Sequence, residues 1–133
     1  TPMIDIRVAP IVVDALTLFS DAGHPAIVNY PVIVRNTLTN KTIGRCTVFS
    51  DDTRMIEVGL WFIETQSRAW LRKLLVHEIT HCTFGYYTHV DQGTKQVMSA
   101  YQTAFDDTLA PDAWDNFWLL ITQLENKTSW FGL

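Results

Sequence analysis

The sequence predicts an α+β fold: a small antiparallel or mixed sheet in the N-terminal half, then a helix carrying His77 and His81 and two further helices. Two observations predict it. Runs of alternating or β-branched residues are confined to positions before 63, and from residue 66 onward apolar residues recur every three or four positions.

Taken in order, Ile4-Asp5-Ile6-Arg7-Val8 alternates like a half-buried strand, and Pro10 ends it. Residues 12–19 fit a short helix and a buried strand equally well. Asp21-Ala22-Gly23-His24-Pro25 is a loop by its breakers, which leaves His24 as a loop residue without a partner. Residues 30–35 are β-rich, 36–41 read as a turn, 43–49 as a strand, and 50–53 turn again. Residues 55–62 form the last strand before the helices. The first helix is expected over 66–84, stopped by Gly85. A second is expected over 94–109, with Val97, Ala100, Tyr101, Ala104 and Thr108 on one face. A third starts at Pro111-Asp112, where Trp114, Phe117, Trp118 and Ile121 follow i, i+3, i+4, i+7 and read as core.

The 133 residues form one expected domain, 1–133, long enough to bury about two thirds of its unfolded surface. Apolar residues make up 47% and charged residues 18%, a globular composition. Net charge is −4 and the ten basic residues are scattered, which argues against a nucleic-acid groove built on charge. Cys46 and Cys82 belong to no CxxC pair and are expected to be reduced core residues in a cytosol-like compartment. No secretory pattern and no apolar run near 18 residues is visible, so the expectation is cytoplasmic, without a membrane span.

One segment carries chemistry. Leu74-Leu75-Val76-His77-Glu78-Ile79-Thr80-His81 is an HExxH motif inside a helical pattern. With four histidines and four glutamates in the chain, shuffling would create this motif in fewer than about one chain in a hundred. Residues four apart stand one above the other on a helix face, so both imidazoles can reach one Zn²⁺. The adjacent glutamate can take a proton from water held by the ion. Leu71, Leu75, Ile79 and Cys82 mark the buried stripe of the same helix, and the histidines lie beside it.

A small sheet whose last strand precedes a helix with this motif resembles the minimal zincin metallopeptidases. The similarity is greatest to small phage and bacterial proteins grouped with the SprT-like and ImmA/IrrE-like zincins. It rests on Gly44-Arg45-Cys46, then Arg54-Met55-Ile56-Glu57-Val58, then the motif segment, and it covers roughly residues 43–109. The resemblance implies metal ligands at His77 and His81, a general base at Glu78, and a substrate-binding strand edge at 55–62 to which an extended peptide adds. That strand is apolar enough to read equally well as the core-facing edge of the sheet.

The third ligand departs from these patterns. Metzincins place glycine three and histidine six residues beyond the second ligand histidine. Here Gly85 and His89 lie four and eight beyond His81, with Tyr87 where the metzincin histidine would stand. In a continuous helix His89 would sit about 12 Å along the axis and out of reach. If Gly85 breaks the helix, His89 can swing back, and it is the favoured ligand. The ImmA-like pattern takes a glutamate from the next helix, but the segment expected to form it has none. It offers Asp107, near the edge of its apolar face, and Asp106 opposite. Asp91 or water alone are the remaining choices. Tyr86 or Tyr87 could assist an oxyanion or simply pack.

The expectation is therefore a zinc-dependent metallopeptidase acting on an extended polypeptide. The alternative is a non-catalytic zinc-containing adaptor module on the same fold. A DNA-associated SprT-like protease would want a basic patch that the chain lacks.

Overall fold

The computed structural model describes residues 3–38, 42–100 and 108–131, with backbone alone from 128 to 131. The fold is α+β, with the element order α1 (Ala9–Asp21), β1 (Val32–Arg35), β2 (Gly44–Val48), β3 (Arg54–Gly59), α2 (Leu60–Thr65), α3 (Arg68–Cys82) and α4 (Ala113–Phe131). The three strands form one mixed sheet in the order β1-β3-β2. β1 runs parallel and β2 antiparallel to β3.

The expected strand at 4–8 reduces to a single bridge between Ile4 and Val32. Asp5 turns the chain there: its carbonyl accepts from the N–H groups of Val8 and Ala9, and its carboxylate binds Arg7. Pro10 then sits in the first turn of α1, where its missing N–H costs nothing, so it opens a helix and does not end a strand. The ambiguous residues 12–19 are helical. Ile11, Val12, Ala15 and Phe19 are the buried face of α1, which packs against α3.

β3 is shorter than the strand expected at 55–62. Gly59 makes the last ladder bond, its N–H donating to Ile43, and residues 60–65 coil into α2. β3 is also the central strand, hydrogen-bonded on both sides. The expected substrate edge at 55–62 is thus corrected, because strand addition needs unpaired backbone groups and β3 has spent its own on β1 and β2.

α3 agrees with the expected helix. Ser67 caps it, accepting from the Trp70 N–H at 3.2 Å, and Gly85 stands just beyond its end at φ 70°, a conformation that suits glycine. All residues from 70 to 80 except Arg72 are buried, so α3 is the central helix of the molecule.

The second expected helix does not form over residues 94–100 or at 108–109, and 101–107, with Tyr101, Ala104, Asp106 and Asp107, lies outside the described residues. The Asp91 carboxylate and the Ser99 hydroxyl bind the N–H groups of Gly93, Thr94 and Gln96. Such side-chain bonds compete with helix formation.

The aromatic stripe of α4 is core, as expected. Phe117 and Trp118 pack edge-on against Phe19 of α1 at centroid distances of 5.9 and 5.6 Å. His24 is not a lone loop residue: it stacks on Trp118, and Nδ1 meets the Glu125 carboxylate, tying the end of α1 to α4.

The cysteines require a further correction. Cys46 of β2 and Cys82 of α3 form a disulfide across 36 positions of sequence. With the cysteines bonded, the ground for expecting a reducing compartment is gone. Among the described residues no helix is long and apolar enough to cross a membrane.

Candidate metal centre

The last two turns of α3 bring His77 and His81 to the mouth of a cavity of about 380 Å³. Their Nε2 atoms stand 3.2 Å apart. Two nitrogen ligands of a tetrahedral zinc ion, each about 2.0–2.1 Å from the metal, would be about 3.3 Å apart. His89 joins them from the loop after α3. Its ring centroid lies 5.3 Å from that of His77 and 5.0 Å from that of His81. The helix ends at Cys82 and Gly85 reverses the chain, so His89 comes back beside the helix instead of running on along its axis.

One ligand atom from each of the three histidines lies within 4.8 Å of the others, and the group could hold a metal ion. His77 is buried and His89 exposed. The exposed ring therefore has the most freedom to close the remaining distance.

The hydrogen bonds favour a cation in this group. His77 Nδ1 lies 2.7 Å from the Val97 carbonyl, and His81 Nδ1 bonds the Tyr86 carbonyl. A carbonyl oxygen only accepts, so both Nδ1 atoms carry the proton in the neutral rings. Both Nε2 atoms are then left with lone pairs that face each other. That arrangement is repulsive unless a cation lies between them, and it is the tautomer and orientation that histidine metal ligands adopt. Three imidazoles suit zinc and several other divalent transition metals.

Glu78 points into the same cavity from one residue along the helix. Its carboxylate accepts from the N–H of Cys46 on β2. Gly59 bonds Ile43 in the β2–β3 ladder, so residues 43, 45 and 47 face β3 and the N–H and C=O groups of Gly44, Cys46 and Val48 face outward. β2 can lie this close to α3 because residue 44 is glycine: a Cβ there would stand 3.2 Å from the Leu74 side chain. The disulfide fastens the same strand to the helix residue after His81.

Of the other sequence candidates, Asp91 is not brought to the histidines. Its carboxylate is taken up by Gly93, Thr94 and Ser99. Asp107 falls outside the described residues. The Tyr87 side chain lines the cavity, while Tyr86 contributes its carbonyl. Sequence reading missed the carbonyls of Val97 and Tyr86, the Cys46 N–H and the disulfide. The first three are main-chain groups that every residue possesses, so no residue type announces them.

Burial shapes the proton affinities. Desolvation lowers His77 from 6.5 to about 3, and it lowers His81 as well, so both imidazoles are held neutral. Desolvation raises Glu78 from 4.5 to about 8, partly offset by the Cys46 N–H. These shifts predict the stability of the metal-free protein. The His77 contribution is full above 6.5 and drains as pH falls towards 3, because the unfolded chain takes the proton first. The Glu78 contribution is full below 4.5 and is lost as pH rises through 8, because the folded carboxyl holds the proton longer. The two trends oppose each other between 4.5 and 6.5. Thermal unfolding in chelator should therefore show a broad maximum in that window, with Glu78→Gln flattening the alkaline side. An alkaline side unchanged by that substitution would discard the assignment to Glu78.

No family model, curated protein or solved structure matches this chain.

Proposed function

We propose that the chain is a zinc-dependent metallopeptidase, with His77, His81 and His89 as ligands and Glu78 as the general base. The observation that carries this reading is the convergence of three imidazoles, two of them with Nε2 lone pairs turned towards each other, beside a buried carboxyl in one open cavity. Zinc bound there would acidify a water molecule and polarise a substrate carbonyl. A structural zinc would need the histidines but not Glu78, and the buried carboxyl favours catalysis over the adaptor alternative.

The residues divide the work. The Val97 and Tyr86 carbonyls hold the first two imidazoles in register, so no reorientation is needed when the ion binds. Glu78 would take the proton from the attacking water and return it to the departing amine, and burial, which raises its proton affinity, helps it hold that proton between the two steps. Tyr87 lines the same cavity, and its hydroxyl would serve as a donor to the developing oxyanion. A polypeptide substrate would add to the outward N–H and C=O of Gly44 and the C=O of Cys46, the Cys46 N–H being taken by Glu78. β2, and not β3, is the sheet edge bordering the cavity among the described residues.

The test combines zinc analysis with Glu78→Gln. Purified wild type should carry about one zinc per chain and hydrolyse an unfolded protein substrate. The variant should keep the zinc and lose about 10²–10⁴-fold in rate. Zinc-loaded wild type without hydrolysis would leave the adaptor reading. Wild type that takes up no zinc would remove both.

A further inference from the structure

The loop after His89 touches the candidate centre at two points. His89 stands at its start, and the Val97 carbonyl near its end receives the His77 Nδ1 proton at 2.7 Å. Between these points the chain makes a closed turn whose bonds converge on Asp91. One carboxylate oxygen accepts from the N–H groups of Gly93 and Thr94, each at 3.0 Å, and from the buried Ser99 hydroxyl at 2.8 Å. The other accepts from the Thr94 hydroxyl. The main chain closes the same loop: the Val90 N–H donates to Met98 and the Ala100 N–H to Asp91. Ser99 in turn accepts from the Gln96 N–H at 2.9 Å. Lys95 stands at φ 62° within this turn, a conformation that an unbranched L-residue adopts only where its surroundings impose it.

Asp91 lies two residues after His89, and Ser99 two residues after Val97, so the Asp91–Ser99 bond joins the two segments that reach the centre. We propose that Asp91 is a positioning residue for the metal site: its carboxylate clips residues 91–99 into the loop that sets His89 against the carbonyl orienting His77. This inference rests on the metal-centre reading above. It assigns to Asp91 a role other than the direct ligation considered from the sequence. The carboxylate acts by accepting four hydrogen bonds, so its acceptor geometry matters more than its charge.

The test compares Asp91→Ala with Asp91→Asn by zinc competition against a chelator, and by the visible spectrum of the cobalt-substituted protein. Asparagine keeps an oxygen that can accept from Gly93, Thr94 and Ser99. Asp91→Ala should weaken zinc binding by about 10–100-fold and reduce the four-coordinate cobalt absorption. Asp91→Asn should restore binding to within about threefold of wild type on the same argument. If Asp91→Ala does not fold, Ser99→Ala removes one of the same hydrogen bonds and should weaken binding in the same direction. Wild-type affinity and spectrum in Asp91→Ala, or in Ser99→Ala where that is the variant that folds, would overturn the clip while leaving the centre intact. An asparagine variant as weak as the alanine one would also overturn it, because charge would then be the operative property. A wild-type chain that binds neither zinc nor cobalt would overturn the centre and the clip together.

Discussion

Exchanging His89 for alanine is expected to lower zinc affinity by more than about 100-fold while leaving the metal-free fold in place. Removing a group that only orients a ligand costs about 10–100-fold, so losing a ligand itself should cost more. The fold should tolerate the change because His89 is exposed on a loop, and surface substitutions away from packed or capped positions stay within about 0.5 kcal/mol. His77 offers no such separation. It is buried against Val97, and its removal would open the core as well as the site. Chelator competition for zinc, paired with thermal unfolding in excess chelator, separates binding from folding. The same measurement on Asp107→Ala decides between His89 and Asp107, two of the third ligands that the sequence offered. Unchanged affinity in His89→Ala with a large loss in Asp107→Ala would move the third ligand to Asp107 and remove the three-histidine centre.

The second large effect is expected from the disulfide. Replacing Cys46 and Cys82 together by serine, or reducing the bond, should cost about 4 kcal/mol, the chain-entropy value for a loop closed across 36 positions. Domains of this size have total stabilities of about 5–15 kcal/mol, so the loss would be plain in urea unfolding. The consequence reaches the site, because Cys46 supplies the N–H that Glu78 accepts, and its side chain fastens β2 to the end of α3. Thiol titration of the unfolded chain without reductant checks the premise: no free thiol is expected. Two free thiols per chain would return the cysteines to the reduced state expected from the sequence.

The candidate centre was legible where chemistry coincides with periodicity. His77, Glu78 and His81 follow from the helical repeat, because a spacing of four places two side chains on one face wherever a helix forms. His89 was legible for a different reason. Gly85 could be recognised as a helix stop, and a stop was the condition for a histidine eight residues on to return. Asp91 was seen as a possible acid near the site, but its use could not be read. Whether a carboxylate meets a metal or its own backbone depends on the path of a loop that has no period. Apolar periodicity misled over residues 94–100 for the same reason, since Asp91 and Ser99 capture backbone groups that a helix would have used.

By itself the sequence determined the fold class, the central helix with its buried stripe, the aromatic core face of α4 and the histidine spacing. Each is a local pattern with a short repeat. Tertiary structure alone decided which strand forms an edge, which carbonyls orient the imidazoles and which cysteines meet. The largely apolar run at residues 55–62 reads the same for a central strand and an edge strand, and only the pairing with both β1 and β2 told them apart. Cys46 and Cys82 lie 36 positions apart with no shared pattern, and they touch because Gly44 lets β2 close on α3. Contacts between distant segments depend on how whole elements pack, and no short window of residues contains that information.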